Sequence, residues 1–573
     1  MSTVVVDPVT RIEGHLRIEA ELDENNTITR ASSCGTMVRG IEKILQGRDP
    51  RDAWAFTQRI CGVCTTSHGI ASVRAVEDAL GILIPENAEI IRNLMNGAQY
   101  VQDHVVHFYQ LHAMDWVDVI SALEADPAET AKLQQCISPW PNNSTDHFAV
   151  TQQKLRGFAE TGQLGLFKNG YWGHPEYKLP AELNLLAVTH YLEALAWQRD
   201  IARVHAVFGG KNPHPSFVVG GMPCAISTSN GATAVNGQNL ALVGDIISRA
   251  RAFVDQVYIP DLLAIARFYP DWAEKGEGLG NFLSFGDFPE YDVNDETTLF
   301  FPRGAILGYD LANILPVDLN DTAEIQELIS HSWYDYSAGK DAGLHPYQGE
   351  TQPRYSGPTT SYTNLDVDAE YSWLKSPRWR GFPMEVGPLA RILIMFASGN
   401  EAVQATVNAV LGELKLPLGA LFSTLGRTAA RGIECKAIAD QMPVWHGRLM
   451  DNIARGEQTV FDESLFRPSS WPAQAQGVGF LEAPRGALAH WIVVNNGRIG
   501  NYQAVVPTTW NAGPRDHNGL EGPYDAALRG HTLHDPQQPL EILRTIHSFD
   551  PCMGCAVHLA DPDGEPLLTV QVK

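Results

Sequence analysis

Long apolar runs are missing from this sequence. The best candidate, Leu393 to Ala397, falls far short of the roughly 18 residues that a membrane-spanning helix requires. The first residues, Met1 to Glu21, also lack the basic stretch and following apolar segment of a secretory signal peptide. We therefore expect any association with a membrane to depend on another chain.

Positive charge is also scarce. The 573 residues include 42 lysines and arginines against 66 aspartates and glutamates, which gives a formal net charge of −24. Such a surface repels phosphate backbones and anionic headgroups, which argues against nucleic acid and anionic lipid as partners. The hydrophobic content of 44% is ordinary, and the chain is long enough to bury a large core.

Cysteine is rare too, since the chain has only eight. At this density in so long a chain, a disulfide framework is not expected. Four of the cysteines are scattered, and we predict that they are small core residues; they are Cys34, Cys136, Cys224 and Cys435. The other four form two Cys-x-x-Cys pairs.

The pattern of apolar residues predicts a mainly α fold with smaller β portions. Residues 15–22 alternate as a half-buried strand does, and a turn at 24–27 leads to a second strand. Apolar residues recur at steps of three and four from Ile90 to Phe108, which predicts one face of a long helix. Three further helices are predicted, over Leu185 to Phe208, Val235 to Phe268 and Ala390 to Leu411.

The remaining regions complete a single large domain. Residues 270–380 are rich in Gly, Pro, Asp, Tyr and Trp, and we interpret them as ordered loops and short strands that cover a helical bundle. A hairpin is predicted from Trp491 to Val506, around the turn at 495–498. We find no repeat, low-complexity segment or clear linker. The expected architecture is a long-helix bundle with N- and C-terminal strands.

Two matching cysteine motifs stand at opposite ends of the chain. The first pair is Cys61 and Cys64, and the second is Cys552 and Cys555. Each loop lets two thiolates converge on one ion, and two loops make a four-sulfur site suited to Zn, Ni or the iron of clusters. Zinc ribbons keep their pairs about 15–20 residues apart, whereas nearly the whole chain separates these. A catalytic or redox metal is therefore favoured, with structural zinc and a redox dithiol as the alternatives.

Polar residues next to the cysteines strengthen the catalytic interpretation. They are Arg59, His68, Asp550 and His558. A metal site that performs chemistry needs oriented donors and acceptors around its ligands, whereas a closed structural site needs few.

These motifs resemble the paired signatures of nickel–iron hydrogenase large subunits, most closely those of the membrane-associated uptake group. The resemblance rests on Cys-Gly-Val-Cys-Thr-Thr-Ser-His at 61–68, Asp-Pro-Cys-Met-Gly-Cys-Ala-Val-His at 550–558, and shorter segments at 11–15, 39–42, 482–486 and 506–510. It extends from Asp7 to the C-terminus. Respiratory-chain relatives of this fold have lost the cysteines, and this chain keeps all four. The resemblance implies the hydrogenase large-subunit fold and reversible oxidation of dihydrogen to protons and electrons.

The resemblance also implies a nickel–iron centre on the four cysteines. Cys61 and Cys552 are expected to be terminal ligands of nickel, while Cys64 and Cys555 bridge to iron. Iron is expected to carry carbon monoxide and two cyanides as ligands. The residues expected to contact this cofactor are Arg485 and Thr508, at the positions that hydrogen-bond the cyanides, and His68.

Splitting dihydrogen requires a base and a route for the proton. We favour Cys552 as the base over Arg485, because a guanidinium is normally locked in its protonated form. Glu13 matches the carboxylate that relays the proton; the alternative is that it pairs with Arg11 or Arg17 on a surface strand. Two further carboxylates match those around the arginine and are expected to contribute to catalysis: Asp103 and Asp550.

Two other groups of residues are candidates for metal binding. Glu42, the carbonyl of Ala504 and His558 match the ligands of a second, hard ion, either magnesium or a second iron. His104 and His107 stand at i and i+3, a spacing that can chelate a metal. For these two histidines, packing or a subunit contact is the favoured interpretation.

The other four cysteines show no spacing typical of an iron–sulfur cluster. Electrons must then leave through a second chain, so we predict an iron–sulfur small subunit as an obligate partner. The pair is expected at the periplasmic face of the cell membrane, exported on the partner's signal, with a membrane cytochrome b as a further partner. The alternatives are a hydrogen-sensing regulatory subunit and a zinc-bound scaffold.

The last fifteen residues, Leu559 to Lys573, follow the final motif. Their pattern predicts a small hairpin with a turn at 561–564. The family implies that a maturation endopeptidase removes this tail once nickel is inserted. We therefore divide the chain into a hydrogenase domain, 1–558, and a tail, 559–573.

Overall fold

A computed structural model describes residues 2–38, 40–228, 231, 234–358 and 365–556. Helix accounts for 46% of the described residues and strand for 16%, which confirms the mainly α prediction. The α-helices are α1 Ile41–Leu45, α2 Ala53–Thr57, α3 Ser67–Leu80, α4 Glu86–Val106, α5 Pro127–Ile137, α6 Thr145–Glu160, α7 Ala181–Ile201, α8 Arg203–Gly209, α9 Gly237–Phe253, α10 Ile259–Ala266, α11 Pro388–Ala397, α12 Glu401–Leu414, α13 Thr424–Ala454, α14 Pro507–Ala512, α15 Pro523–Leu528, α16 Leu540–Ser548 and α17 Met553–Ala556.

Two three-stranded antiparallel sheets lie near the ends of the chain, with orders β1-β2-β3 and β12-β13-β14. Between them, short strands pair as β4-β7, β5-β6, β8-β11 and β9-β10. The strands are β1 Ser2–Val6, β2 Leu16–Leu22, β3 Ile28–Gly35, β4 Phe282–Ser284, β5 Asp287–Pro289, β6 Leu299–Phe301, β7 Gly304–Ile306, β8 Ile325–Leu328, β9 Tyr334–Asp335, β10 Gln352–Pro353, β11 Ser376–Trp379, β12 Gln474–Ala483, β13 Gly486–Asn495 and β14 Arg498–Val505.

The helical bundle is built around α4 and α13, which pack against each other. Helix α13 was not predicted, because polar residues interrupt its apolar pattern and Pro443 lies inside it. The prediction of one helix from Ala390 to Leu411 is wrong: α11 and α12 are separate. Gly399 lies between them with φ 85°, a left-handed conformation that ends a helix.

The burial of the four scattered cysteines agrees only partly with the prediction that they are core residues. Cys34 and Cys435 are buried core residues, as expected. Cys224 is half-buried, and Cys136 is exposed, so the core assignment is wrong for Cys136. Its helix, α5, buries only a minority of its residues, and Cys136 lies on the other face.

Helix α3 lies unusually close to strand β12, and this contact positions the first cysteine loop. Gly479 allows the approach: a Cβ there would stand 2.0 Å from the Ala71 carbonyl oxygen and 2.2 Å from the Ala75 nitrogen. A side chain at this position would push helix and strand apart. Because α3 begins three residues after Cys64, the same contact fixes that loop against the sheet.

The predicted hairpin is confirmed as β13 and β14, joined at Asn496 and Gly497, which both have positive φ. Strand β12, its third strand, was not predicted. Within the described ranges, no helix combines the length and the apolar character needed to span a membrane.

Candidate metal centre

The loop that carries Cys61 and Cys64 is braced by Gln58. Its Nε2 donates to the carbonyls of Thr65 (3.2 Å) and Pro215 (2.8 Å). The backbone N–H groups of Val63 and Cys64 each lie 3.3 Å from Cys61 Sγ. These donors favour the thiolate, which is the form of cysteine that binds metals.

The second pair reaches the same place from the other end of the chain. Asp550 has φ 60°, and this turn directs the chain inward after α16. The Cys552 N–H donates to Thr508 Oγ1 (3.0 Å), and the Met553 N–H donates to the Glu13 carbonyl (2.8 Å). The C-terminal segment is thus fixed against both the N-terminal loop and α14.

The four sulfurs converge in the protein interior. Cys61 Sγ lies 3.4 Å from Cys552 Sγ, Cys64 Sγ lies 3.3 Å from Cys555 Sγ, and the sulfurs of Cys552 and Cys555 are 2.9 Å apart. All four lie within 4.8 Å of one another, and none is in a disulfide. Zn–S bonds of about 2.3 Å place tetrahedral sulfurs roughly 3.8 Å apart, so this set can hold a metal with small adjustments.

The four buried cysteines cannot all be thiolates unless a cation is bound among them. Burial raises the pKa of Cys552 and of Cys555 well above the ordinary value. Burial opposes ionisation of Cys61 as well, but its contacts with the other cysteines and the charge of Arg485 hold its pKa well below the ordinary value. Four buried thiolates repel one another, and a bound metal removes that repulsion.

Arg485 lies beside the sulfurs between two carboxylates. Its Nη1 is 3.0 Å from Asp103 Oδ2, and its Nη2 is 3.1 Å from Asp550 Oδ2. Burial opposes its charge, yet Asp550 and Asp103 raise the pKa of Arg485 well above the ordinary value. Burial also raises the pKa of Asp103 to about 7, against the effect of Arg485. The guanidinium therefore stays charged.

A small cavity lies between the sulfurs and Arg485. Its walls include the apolar side chains of Ala483, Leu488 and Pro507, together with Arg485 and Thr508. Within the described residues, Arg485 Nε is a buried donor with no acceptor. Thr508 Oγ1 accepts from Cys552 and so keeps its own proton to donate. Besides these two donors and the apolar side chains, the cavity is lined by His68 and by the sulfurs of Cys64, Cys552 and Cys555. Two donors opposite the sulfurs fit a metal group with two hydrogen-bond acceptors, such as two cyanides, and the apolar side chains fit a carbon monoxide.

Glu13 lies at the centre, and the surface-strand alternative is wrong. Glu13 Oε2 is 3.3 Å from Cys552 Sγ and accepts the Gly554 N–H at 2.6 Å. A Cβ at Gly554 would stand 2.2 Å from Glu13 Oε1, so glycine makes room for this carboxylate. Arg11 and Arg17 pair with other acids: Arg11 with Asp115, and Arg17 with Asp7 and Glu19.

Comparison with known proteins decides the family. The sequence model described as nickel-dependent hydrogenase matches residues 39–558. This chain belongs to that family. A model described as HoxL-like matches residues 3–34.

This chain is similar to other hydrogenases over nearly the full length of both chains. The uptake hydrogenase large subunit of Rhizobium leguminosarum bv. viciae is 54% identical over 581 residues, spanning 100% of this chain and 97% of that protein. The hydrogenase-1 large chain of Escherichia coli (strain K12) is 51% identical with the same coverage. The reduced Ni-Fe-Se hydrogenase of D. vulgaris Hildenborough has 33% identity and a TM-score of 0.75, over 97% of this chain and 100% of that chain.

These findings confirm the predicted family, fold and enzyme class. The chain has the fold of a hydrogenase large subunit and is an oxidoreductase that acts on dihydrogen. Nothing in the comparisons favours the hydrogen-sensing alternative.

The expected second ion site of this hydrogenase is only partly described. Glu42 is buried, and its Oε1 accepts the Ala504 N–H at 3.0 Å, so the carboxylate lies alongside the residue whose carbonyl was predicted as a ligand. Nearby, Lys375 Nζ lies 3.1 Å from Glu327 Oε2 and 2.9 Å from Gln503 Oε1. The third expected ligand, His558, lies outside the described residues, as does Arg39.

The histidines of α4 and the segment after it serve packing. His104 Nε2 lies 2.8 Å from Glu434 Oε1, and His107 Nε2 donates to the His547 carbonyl at 2.6 Å. Both rings are buried, which agrees with packing inside the chain rather than a subunit contact.

One buried cluster resembles a second metal site but is not one. His112, Asp115 and His547 place ligand atoms within 4.8 Å of one another. Trp116 Nε1, which can only donate, points at His112 Nε2 from 3.1 Å. That nitrogen must accept, so a neutral His112 ring carries its proton on Nδ1 and donates it to Asp115. The cluster is therefore a hydrogen-bonded anchor around Asp115.

Sequence reasoning missed two residues close to the centre, His490 and Tyr502. His68 Nε2 lies 3.4 Å from Cys555 Sγ, and its other nitrogen contacts His490. Tyr502 lies in the predicted hairpin and His490 directly precedes it, but neither position indicates that the side chain faces α3.

Proposed function

We propose that this large subunit oxidises dihydrogen at a nickel–iron centre on its four cysteines and passes the electrons to an iron–sulfur small subunit. The convergence of all four buried sulfurs beside a charged arginine carries this proposal. Bound there, the metals supply the heterolytic cleavage of dihydrogen. The names of the similar uptake hydrogenases support the oxidative direction.

The pairing of the sulfurs, more than the lining of the cavity, supports the assignment of the cysteines. Cys64, Cys552 and Cys555 all line the pocket between Arg485 and Thr508, and Cys61 does not. Cys64 Sγ pairs with Cys555 Sγ at 3.3 Å, and Cys61 Sγ pairs with Cys552 Sγ at 3.4 Å. We infer that Cys64 and Cys555 would be the two cysteines shared with iron, and that Cys61 and Cys552 would bind nickel alone.

The proton leaves through Cys552 and Glu13. The Cys552 sulfur serves as the base, and Glu13 Oε2 receives the proton across 3.3 Å. Arg485 cannot take this role, since two carboxylates hold its charge in place. It instead orients Asp103 and Asp550 and donates Nε into the pocket.

Metal content and infrared spectra test the centre. We expect the enzyme purified with its partner to contain nickel in equimolar amount to this chain, and to show infrared bands of iron-bound cyanide and carbon monoxide. Alanine at Cys61 should abolish both, while alanine at the exposed Cys136 should change neither. Equimolar zinc without nickel would contradict the proposal and support a structural site.

The exposed side of the first cysteine loop supports a partner there. Gly62 and Arg59 are exposed, and Val63 is 36% exposed although it adjoins the buried sulfurs. None of the other four cysteines belongs to a group of metal-ligating side chains within the described residues, so these residues offer no site for an iron–sulfur cluster. We infer that the small subunit supplies the clusters, and that it mediates attachment to a membrane cytochrome b at the periplasmic face.

The second ion is proposed to be magnesium or iron, held by Glu42, the Ala504 carbonyl and His558. Glu42 supports this as a buried carboxylate, since oxygen ligands suit a hard cation.

The tail, 559–573, is proposed to be removed during maturation by an endopeptidase. It lies outside the described residues. The burial of Cys552 and Cys555 supports the proposal, because these ligands must be accessible while metals are inserted. Intact mass of the active enzyme is expected to correspond to a chain that ends at His558. An active chain that still includes Leu559 to Lys573 would refute the cleavage.

A further inference from the structure

A chain of buried polar side chains leads away from Cys555. His68 Nε2 lies 3.4 Å from Cys555 Sγ, and His68 Nδ1 lies 3.0 Å from His490 Nε2. His490 Nδ1 lies 2.7 Å from Tyr502 Oη, which lies 3.0 Å from Ser72 Oγ. The four residues beyond the cysteine are each at most 1% exposed, so water does not compete for these contacts.

The fold brings these residues together through the close contact of α3 with the sheet. His68 and Ser72 lie one turn apart on α3, which places them on one face. His490 is paired with Gly479, the residue that lets the helix approach. Tyr502 follows on the neighbouring strand, β14, whose Ala504 pairs with His490.

The thiolate of Cys555 determines the direction of the hydrogen bonds between Cys555 and Tyr502. A metal-bound thiolate carries no proton and can only accept, so His68 must donate from Nε2. A neutral imidazole has one donor and one acceptor, so His68 Nδ1 accepts from His490 Nε2. His490 Nδ1 must then accept in turn, and the donor that faces it is the hydroxyl of Tyr502. The single proton of that hydroxyl can also be donated to Ser72 Oγ, and the lone pair of His490 turns it towards the ring. This step rests on the proposed function, since it requires the metal on Cys555.

We propose that Tyr502 and His490 are positioning residues of the metal centre, which fix His68 as a hydrogen-bond donor to the bridging thiolate of Cys555. An N–H donor withdraws electron density from the sulfur and raises the reduction potential of the metals it binds. Without the tyrosine hydroxyl, both rings can adopt the opposite tautomer, and His68 then presents a lone pair to the thiolate.

Infrared spectroscopy of the purified heterodimeric enzyme tests this inference. Tyr502→Phe is expected to retain nickel and iron, to shift the cyanide and carbon monoxide bands to lower wavenumber, and to lower the midpoint potential of the nickel centre. Tyr269→Phe is the matched control. Tyr269 is also fully buried, but its hydroxyl donates to the Trp116 carbonyl at 2.6 Å, and this variant should leave the bands unshifted.

Two more variants distinguish positioning from a general disturbance. In His490→Gln, the side-chain amide can donate to His68 without help from a tyrosine. When this change is added to Tyr502→Phe, we expect the bands to return to their positions in the unmodified enzyme. His490→Gln by itself should leave the bands unshifted. Ser72→Ala keeps the tyrosine donor and should also leave the bands unshifted.

Several outcomes would overturn the inference. They are unshifted bands in Tyr502→Phe, no rescue by His490→Gln, or a shift in Ser72→Ala as large as that in Tyr502→Phe. If Tyr502→Phe fails to retain metal, the single variant His490→Gln tests the inference instead. A shift of its cyanide and carbon monoxide bands would overturn the inference. An unmodified enzyme without cyanide and carbon monoxide bands would instead refute the proposed function itself.

Discussion

Replacing Glu13 with glutamine is expected to lower the exchange of hydrogen isotopes with solvent by roughly 10²- to 10⁴-fold, the range that a general acid–base group contributes. Metals should be retained, because the amide oxygen of glutamine can still accept the Gly554 N–H. Conversion between ortho- and para-hydrogen should survive, since it needs cleavage at the metals but no proton release. Mass spectrometry of hydrogen isotopes in deuterated buffer measures the exchange, and rotational Raman spectroscopy of the gas measures the ortho–para conversion.

Glu24→Gln is the control for this variant, because Glu24 is exposed in the turn before β3. This variant makes the same chemical change far from the cysteines. It should exchange hydrogen isotopes with solvent as fast as the unmodified enzyme does. Solvent exchange that is equally fast in Glu13→Gln would show that the proton leaves by another route. Loss of both exchange and ortho–para conversion would mean that the substitution disturbs the metals instead.

Replacing Arg485 with lysine is expected to lower turnover by about 10²-fold or more, a typical loss when a preorganised donor is removed. The charge is conserved, but the planar fork that holds Asp103 and Asp550 together is lost. The Nε donor into the cavity beside the sulfurs is lost as well. Turnover per nickel is the measurement, and the cyanide bands should shift in the same sample.

Arg378→Lys is the matched control, since Arg378 is 1% exposed and pairs with Asp516 at 2.9 Å. That change should reduce thermal stability but leave turnover per nickel unchanged. Near-normal turnover in Arg485→Lys would remove this arginine from the mechanism.

The sequence allowed the convergence of the four cysteines to be predicted, because thiolate chemistry is local to two short motifs. Cys61 and Cys552 are distant in sequence, yet both pairs indicate a four-sulfur site without any knowledge of the path between them. The carboxylate partners of Arg485 followed from the family resemblance. Nothing in periodicity indicates that Asp103, within an ordinary helix, faces a buried guanidinium.

The parts that could not be predicted depend on tertiary contacts. Helix α13 is long because it packs against α4 over much of its length, and packing overrides both its weak apolar pattern and Pro443. The link from His68 to His490 and Tyr502 depends on how closely α3 meets β12. That distance is set by Gly479, whose role is visible only when the helix and strand are placed together.

The separation of the two cysteine pairs also determines when the site can exist during synthesis. Cys61 and Cys552 are 491 positions apart. At about 5–20 residues per second, the ribosome needs roughly 25–100 s to add the second pair after the first. Throughout that interval the nascent chain presents only a two-thiol loop, which binds zinc or copper as readily as nickel. The four-sulfur set exists only once the second pair has been added, so selective loading with nickel must follow the synthesis of Cys552 and Cys555.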